Sequence, residues 1–239
     1  MDLAAVYQCR NQYEATSEVL TRFRHHYPSV PVLMINDGGD VIMKCISDMY
    51  HTEYAPCSKT SCDELEFIFS DPHSAIQYVE RILSGIPGDD CFVLLLEDDV
   101  WIRAQVPLTD LHYDFSGGHA GLYLSKDLAD VVKAGRKGFE RTKHILFAYS
   151  GGGFLKSSFM NTVRDSSKWK QYVDALFLVQ SRISSGELLS CLVLMAGGTV
   201  GPYAGYYEPW FLTYKIKKKI GWDGGVRILG KEKSLIKKI

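Results

Sequence analysis

Glu97, Asp98 and Asp99 stand side by side directly after Cys91-Phe92-Val93-Leu94-Leu95-Leu96, the most hydrophobic stretch of the sequence. Adjacent carboxylates repel one another, and taking them out of water is costly. A divalent cation at that point removes the repulsion, and hard cations take oxygen ligands. The competing reading is structural: Asp98 or Asp99 caps the turn that follows. Position favours chemistry. A six-residue apolar run without alternation is what a central parallel strand, buried on both faces, looks like. Ligands of open α/β sheets bind at the carboxyl ends of such strands. Two further strand ends carry polar clusters, Gln8-Cys9-Arg10-Asn11 and Asn36-Asp37-Gly38-Gly39-Asp40. The second also reads simply as a tight turn. Tyr206-Tyr207-Glu208-Pro209-Trp210 supplies aromatic rings that can stack on sugars or pack in a core.

The elements that must position these residues follow from hydrophobic periodicity. Leu3 to Cys9 reads as a buried first strand. Glu14 to His25 reads as a helix, with Val19, Leu20 and Phe23 at helical spacing. Val30 to Ile35 is a second strand, and the β-α-β unit so formed implies adjacent parallel strands. Ser74 to Leu83 reads as a helix ending before Gly85. Farther on, Gly117 to Ser125 reads as a strand, Lys126 to Ala134 as a helix, and Ile145 to Tyr149 as an apolar run entering Gly151-Gly152-Gly153. Lys168 to Ser184 reads as a helix closed near Gly186, and Leu188 to Met195 is apolar. There is no internal repeat, low-complexity segment or linker. The expectation is the α/β class: a single Rossmann-like domain over 1–239, with a mixed, mostly parallel central sheet flanked by helices.

Leu94-Leu95-Leu96-Glu97-Asp98-Asp99-Val100 resembles the DXD-like or EDD motif of glycosyltransferases with the GT-A fold, family 2 enzymes and inverting N-acetylglucosaminyltransferases among them. The resemblance implies that Asp99 holds Mn2+ or Mg2+ bridging the donor diphosphate. It implies that Asp98 contacts the ribose or the donor sugar, and that Glu97 lies on the ribose side or behind it. The family's second strand ends in Asp-Asp-Gly-Ser, where this sequence has Asn36-Asp37-Gly38-Gly39. By that match Asp37 accepts the uracil N3–H, which implies a UDP-sugar donor. The family's first strand ends in a Thr-x-x-Asn-Arg-like turn, and Gln8-Cys9-Arg10-Asn11 departs from it. Gln8 and Arg10 are therefore nucleotide contacts by position alone.

The likeness extends over roughly residues 1 to 190. A Gly-rich loop near the donor sugar corresponds to Gly151 to Gly153, centred on Gly152, where the lack of side chains lets a sugar approach the backbone. Of the family's Glu-Asp pair before an apolar helix, only Asp174 is present, with Val173 in place of the Glu. Asp174 is expected near the start of the helix beginning at Lys168, where the dipole favours a carboxylate. The implied reaction is an inverting sugar transfer to a hydroxyl of a carbohydrate or glycoconjugate, as in glycan biosynthesis. Asp174 is the first candidate for its base and Glu208 the second. Many GT-A enzymes use a late His as a further metal ligand, but all seven histidines lie at or before His144. The cation is then expected to rest on Asp99, the diphosphate and waters.

Composition bounds the alternatives. A net charge of -1 argues against bulk nucleic-acid binding, and 46% apolar residues suffice for a sizeable core. The C-terminal end is the exception. Lys215, Lys217, Lys218, Lys219, Arg227, Lys231, Lys233, Lys237 and Lys238 face only Asp223 and Glu232 there. This segment is expected to fold towards the donor diphosphate or an anionic surface, peripheral membrane contact included, with a solvated tail as the alternative. No run of about 18 apolar residues predicts a transmembrane helix, and the N-terminus does not read as a signal peptide. The six cysteines lack zinc spacing and read as reduced thiols of a cytoplasmic protein. Two other function classes compete. A nucleotidyltransferase acting on sugar phosphates usually carries a Gly-rich loop after the first strand, and Gln8 to Tyr13 has no Gly. A non-catalytic sugar-nucleotide-binding module would bind donor without turnover.

Overall fold

The computed structural model describes residues 2–57, 68–98, 100–117, 123–139, 141–142, 144–166 and 168–203, with the backbone alone of 212–217 and 222–227. Strand β1 (Asp2–Cys9), helix α1 (Tyr13–His26) and strand β2 (Val32–Asp37) form the expected parallel unit, with Ala5 opposite Val32 and Cys9 opposite Asn36. Helix α2 (Val41–Met49) and strand β3 (Glu53–Cys57) repeat it, β3 pairing parallel to β2. The two-residue strand β4 (Ile68–Phe69) leads to helix α3 (Pro72–Ser84), which crosses to β5 (Cys91–Leu96). Every residue of β5 is buried, as its unbroken apolar run requires.

The second half adds β6 (Val100–Ile102), β7 (Phe115–Gly117), helix α4 (Lys126–Gly135), β8 (Phe154–Lys156), helices α5 (Ser157–Asp165) and α6 (Trp169–Val179), and β9 (Ile183–Ser184). Helix α7 (Ser185–Met195), β10 (Val200–Pro202), β11 (Leu212–Lys217) and β12 (Trp222–Arg227) complete it. The central sheet has seven strands in the order β10-β7-β8-β5-β1-β2-β3, with β5 in the middle. β3, β2, β1 and β5 run parallel; β8 alone is antiparallel to both its neighbours, β5 and β7. The mixed, mostly parallel α/β sheet flanked by helices is thus the expected one.

Side-chain alternation divides two cores. Ala4, Val6, Val93 and Leu95 face α3 and α7, whereas Leu3, Ala5, Tyr7, Leu94 and Leu96 face α1 and β6. This division decides which way each polar residue at a strand end points.

Four segments differ from the sequence reading. The helix begun near Lys168 stops at Val179, and Gly186 opens the next helix instead of closing this one. Ser184 caps α7 by accepting from the Glu187 N–H, while the Glu187 carboxylate accepts from the Ser184 N–H at 2.9 Å. The apolar run 188–195 is this helix, buried all round except at Glu187. Of the strand expected over 117–125, Gly117 is the last residue of β7, residues 118–122 lie outside the described residues, and Tyr123 makes an isolated bridge to Leu146. In the basic C-terminal segment β11 pairs antiparallel with β6, and β12 with β11, while 218–221 and 228–239, with Lys231, Lys233, Lys237 and Lys238, lie outside the described residues.

Candidate active site

The carboxyl ends of β2, β1 and β5 lie side by side, and alternation sends Asp37, Gln8 and Glu97 to the α3 face. Asp37 is the anchor of the β2 end. Arg10 Nε donates to its Oδ2 at 2.7 Å, and an Arg81 amino group donates to its Oδ1 at 3.2 Å. All three side chains are nearly buried, between 8% and 11% exposed. Burying charge costs free energy that ion pairing must offset, so this clamp depends on all its members. Arg81 comes from α3 and Arg10 from the residue after β1, which binds three elements to one carboxylate.

Asn36 fixes the turn beside it. Its amide donates to the Arg10 carbonyl at 2.8 Å, and its oxygen accepts from the Asp40 N–H and from the Tyr54 hydroxyl. Asp40 caps α2 and accepts from the Tyr13 hydroxyl at 2.7 Å, which holds its carboxyl below the usual aspartate range. Gly38 and Gly39 have φ of 105° and 66°, so the turn needs glycine at both positions.

At the β5 end the acidic run splits between the two faces. Glu97 shares a crevice with Gln8 and Tyr78 on the α3 face, walled by Val6, Ile82 and Leu95. Its Oε1 accepts from the Ser150 hydroxyl at 3.0 Å, and Ser150 Oγ lies 2.6 Å from Ser185 Oγ. A Cβ added to Gly151 would meet Glu97 Oε2 at 2.6 Å, so only glycine leaves room for this carboxylate. Asp98 turns to the α1 face. It is 7% exposed and accepts from the Tyr7 hydroxyl at 2.6 Å. Burial, then the charge of Asp98, push the Tyr7 phenol well above its ordinary pKa.

The segment 148–153 is enclosed on several sides. A Cβ on Gly186 would stand 2.5 Å from the Ala148 carbonyl, and one on Gly153 would meet Phe115 at 2.7 Å. Gly152 is buried, with its N–H donating to the Leu95 carbonyl and its own carbonyl accepting from Tyr203. The room expected for a sugar at Gly151 and Gly153 is therefore filled by the protein's own Glu97 and Phe115, and Gly152 is bonded on both sides within the core.

The structure brings together Gln8, Arg10, Asp37 and Glu97 from the sequence-based set, with Asp98 just behind them. It does not bring Asp174 to them. Asp174 is the sixth residue of α6, exposed, and outside the helix's first turn, so the helix-start argument for it fails. Asp99 and Glu208 lie outside the described residues, as do Lys218 and Lys219. Lys215, Lys217 and Arg227 fall on the β11–β12 hairpin, whose backbone pairs with β6 directly after the acidic run. Sequence reasoning missed Tyr7, Arg81, Ser150 and Ser185. A tyrosine within an apolar strand is a signal for the first, because a buried phenol needs a partner. Ser184 followed by Glu187 three residues on is the capping-box signal that would have set α7, and with it Ser185, in place.

No protein-family model matches the chain, and no curated protein matches it. Solved structures do resemble it. The galactosyltransferase LgtC in complex with donor and acceptor sugar analogues aligns with 84% of this chain and 73% of its own, at 12% identity and a TM-score of 0.55. An active-site mutant of LgtC aligns equally well, at 13% identity and a TM-score of 0.55, over 84% of this chain and 72% of its own. Core-mannan synthase A from Aspergillus fumigatus, in its Mn/GDP form, covers 94% of this chain and 81% of its own at 10% identity, with a TM-score of 0.49. At such identities the likeness to LgtC establishes the fold alone, the Rossmann-like α/β arrangement of GT-A proteins.

Proposed function

We propose that the chain is a glycosyltransferase that takes a nucleotide sugar across the carboxyl ends of β2, β1 and β5. The observation that carries this reading is the row of Asp37, Gln8, Glu97 and Ser150, polar side chains at neighbouring strand ends, at the edge where open α/β sheets take ligands. The shared fold with LgtC, whose structure holds donor and acceptor sugar analogues, supports it. A donor along the row has its base at Asp37, its ribose near Gln8, and its sugar at Glu97. In this proposal Asp37, its plane fixed by Arg10 and Arg81, accepts the N3–H of uracil. A carboxylate repels N3 of cytosine and N1 of adenine but accepts from uracil, thymine or guanine, and the family match at Asp37 favours uracil and hence a UDP-sugar.

Among the described residues no group of three or more His, Cys, Asp or Glu side chains forms a metal cage. A Mg2+-like cation needs no such cage, because it takes one or two carboxylates and completes its shell with substrate phosphates and water. Asp99 is proposed as the protein ligand, and the bound cation would stabilise the leaving diphosphate as a Lewis acid. Asp98, bonded to Tyr7, ties the end of β5 to β1. Glu97 accepts from a hydroxyl of the donor and fixes its sugar as oxocarbenium character develops. The acceptor hydroxyl needs a base on the side opposite the leaving group for inversion. Asp174, exposed on α6, is the first candidate for that role, and Glu208, outside the described residues, the second.

Calorimetry with UDP, GDP and CDP, with and without Mn2+, tests the reading, followed by nucleotide-sugar hydrolysis and transfer assays. UDP should bind most tightly and only with the metal, and Asp99→Ala should remove that metal dependence. Tighter binding of GDP would overturn the uridine assignment, and turnover undiminished by a chelator would overturn the metal. Binding without turnover would make the chain a sugar-nucleotide-binding module. Binding of no nucleotide at all would sink the reading.

A further inference from the structure

The Ser150 and Ser185 hydroxyls form a chain whose direction can be deduced. Each hydroxyl carries one hydrogen. Ser150 uses its hydrogen on Glu97 Oε1 at 3.0 Å, so across the 2.6 Å contact Ser185 must be the donor to Ser150. Both serines are 4% exposed, and Ser185 stands at the first position of α7, at the positive end of its dipole. Hydrogen bonds in such a chain polarise one another. Ser185 is not needed to cap the helix, because Ser184 and Glu187 already do so reciprocally. Nor is α7 held here by this serine alone, since the Ala148 N–H donates to Ser190 Oγ at 3.0 Å. With one Glu97 oxygen bonded to Ser150 and the other against Gly151, the carboxylate has little rotational freedom.

We propose that Ser150 and Ser185 are positioning residues, a two-hydroxyl relay that locks Glu97 in the rotamer in which it accepts from a hydroxyl of the donor. The locking follows from the geometry; the donor hydroxyl rests on the glycosyltransferase reading. Ser185 touches no substrate, so its effect on the reaction must pass through Glu97.

Two measurements on the purified chain test this. In the transfer assay, at a temperature where every variant is folded, Ser150→Ala and Ser185→Ala should each lower kcat about tenfold, with donor KM within twofold. The double variant should be no slower than Ser150→Ala, because removing Ser150 already cuts the relay. In a Glu97→Gln background Ser185→Ala should have no further effect. Wild-type kinetics in Ser185→Ala, or an equal loss in the Glu97→Gln background, would overturn the proposal. The second measurement does not depend on activity. With glutamate labelled at 13Cδ, and the Glu97 resonance identified by its loss in Glu97→Gln, Ser185→Ala should move that resonance. A resonance unmoved by Ser185→Ala would refute the relay even if the chain proved inactive on every nucleotide sugar. A moved resonance in an inactive chain would refute only the donor contact.

Discussion

Glu97 and Asp98 are adjacent in the chain and serve opposite faces of the sheet. Asp98 turns towards α1, is 7% exposed, and takes a phenol hydrogen bond from a tyrosine that is itself fully buried. Glu97 turns towards α3 and α7, keeps partial exposure, and is held by a serine and walled by a glycine. Two carboxylates that look interchangeable in sequence thus have different work. The one enclosed by large core side chains ties the strand end together, and the one framed by small residues stays accessible at the edge. What separates them is the two-residue period of a strand, which puts consecutive side chains in different environments whatever their chemistry.

Replacing each carboxylate's function in turn breaks this comparison most directly. Glu97→Gln should lower turnover about a hundredfold, the scale of removing one preorganised polar group from a reacting site. Its thermal stability should stay near wild type, because the amide oxygen can still accept from Ser150. Tyr7→Phe should do the reverse. It removes a hydrogen bond to a buried carboxylate, which costs about 2 kcal/mol, or roughly 4–8 °C of melting temperature at this size. Turnover at a temperature where both proteins are folded should change less than threefold. If Tyr7→Phe slows the reaction as much as Glu97→Gln while remaining stable, Asp98 is the working carboxylate and the assignment of faces to roles is wrong.

Gly151→Ala gives a smaller effect on the Glu97 side. The added Cβ would stand 2.6 Å from Glu97 Oε2, the end of a flexible side chain, so the carboxylate moves and the backbone stays. About a tenfold loss of kcat is expected with little change in stability, since a misplaced group at a reacting site is penalised well before the fold is. Unaltered kcat in Gly151→Ala would show that the position of Glu97 is unimportant.

The sequence made one of these two environments easier to foresee than the other. α1 and α3 were legible because apolar residues repeat at the helical period over 13 to 14 residues, and β1 and β5 because strands buried on both faces read as apolar runs. Strand β8 and strand β10 have three residues each, too few to show a period. Helix α2 exposes Val41, Ile42 and Met49, which blurs its stripe. At the site, the acidic run and the Asn36 to Asp40 turn stood out as polar clusters after apolar runs. Their partners did not. Tyr7 is 91 residues from Asp98, Ser150 is 53 from Glu97, and Arg81 is 44 from Asp37. Such pairings are made by the topology, and no local pattern announces them. Asp174 is a different case: the helix start read at Lys168 is within one residue of Trp169, but the sixth residue of α6 lies beyond the first turn, where the dipole acts.

The smallest effect separates the two faces by pH. Tyr7 is fully buried, and burial followed by the Asp98 charge raises its pKa well above the ordinary tyrosine value of about 10. A raised acid stays neutral in the folded protein while its counterpart in the unfolded chain ionises. The stability it contributes is therefore complete below about pH 10 and is lost as pH rises above that value towards the folded pKa. By this linkage one such tyrosine costs about 0.8 kcal/mol between pH 9 and 10.5. Burial also raises the Cys9 and Cys191 thiols, and those add to the alkaline loss in any variant that keeps them. The comparison with Tyr7→Phe removes them, because both proteins carry the same cysteines. Urea unfolding at pH 9 and 10.5 should show the wild-type advantage over Tyr7→Phe shrinking by about that 0.8 kcal/mol. The Ser150→Ala variant, which alters the other face, should keep a constant gap to wild type over the same range. An advantage of Tyr7 that is flat or grows with pH would mean that its hydroxyl is not buried against Asp98, and the division of the acidic run between the two faces would fall with it.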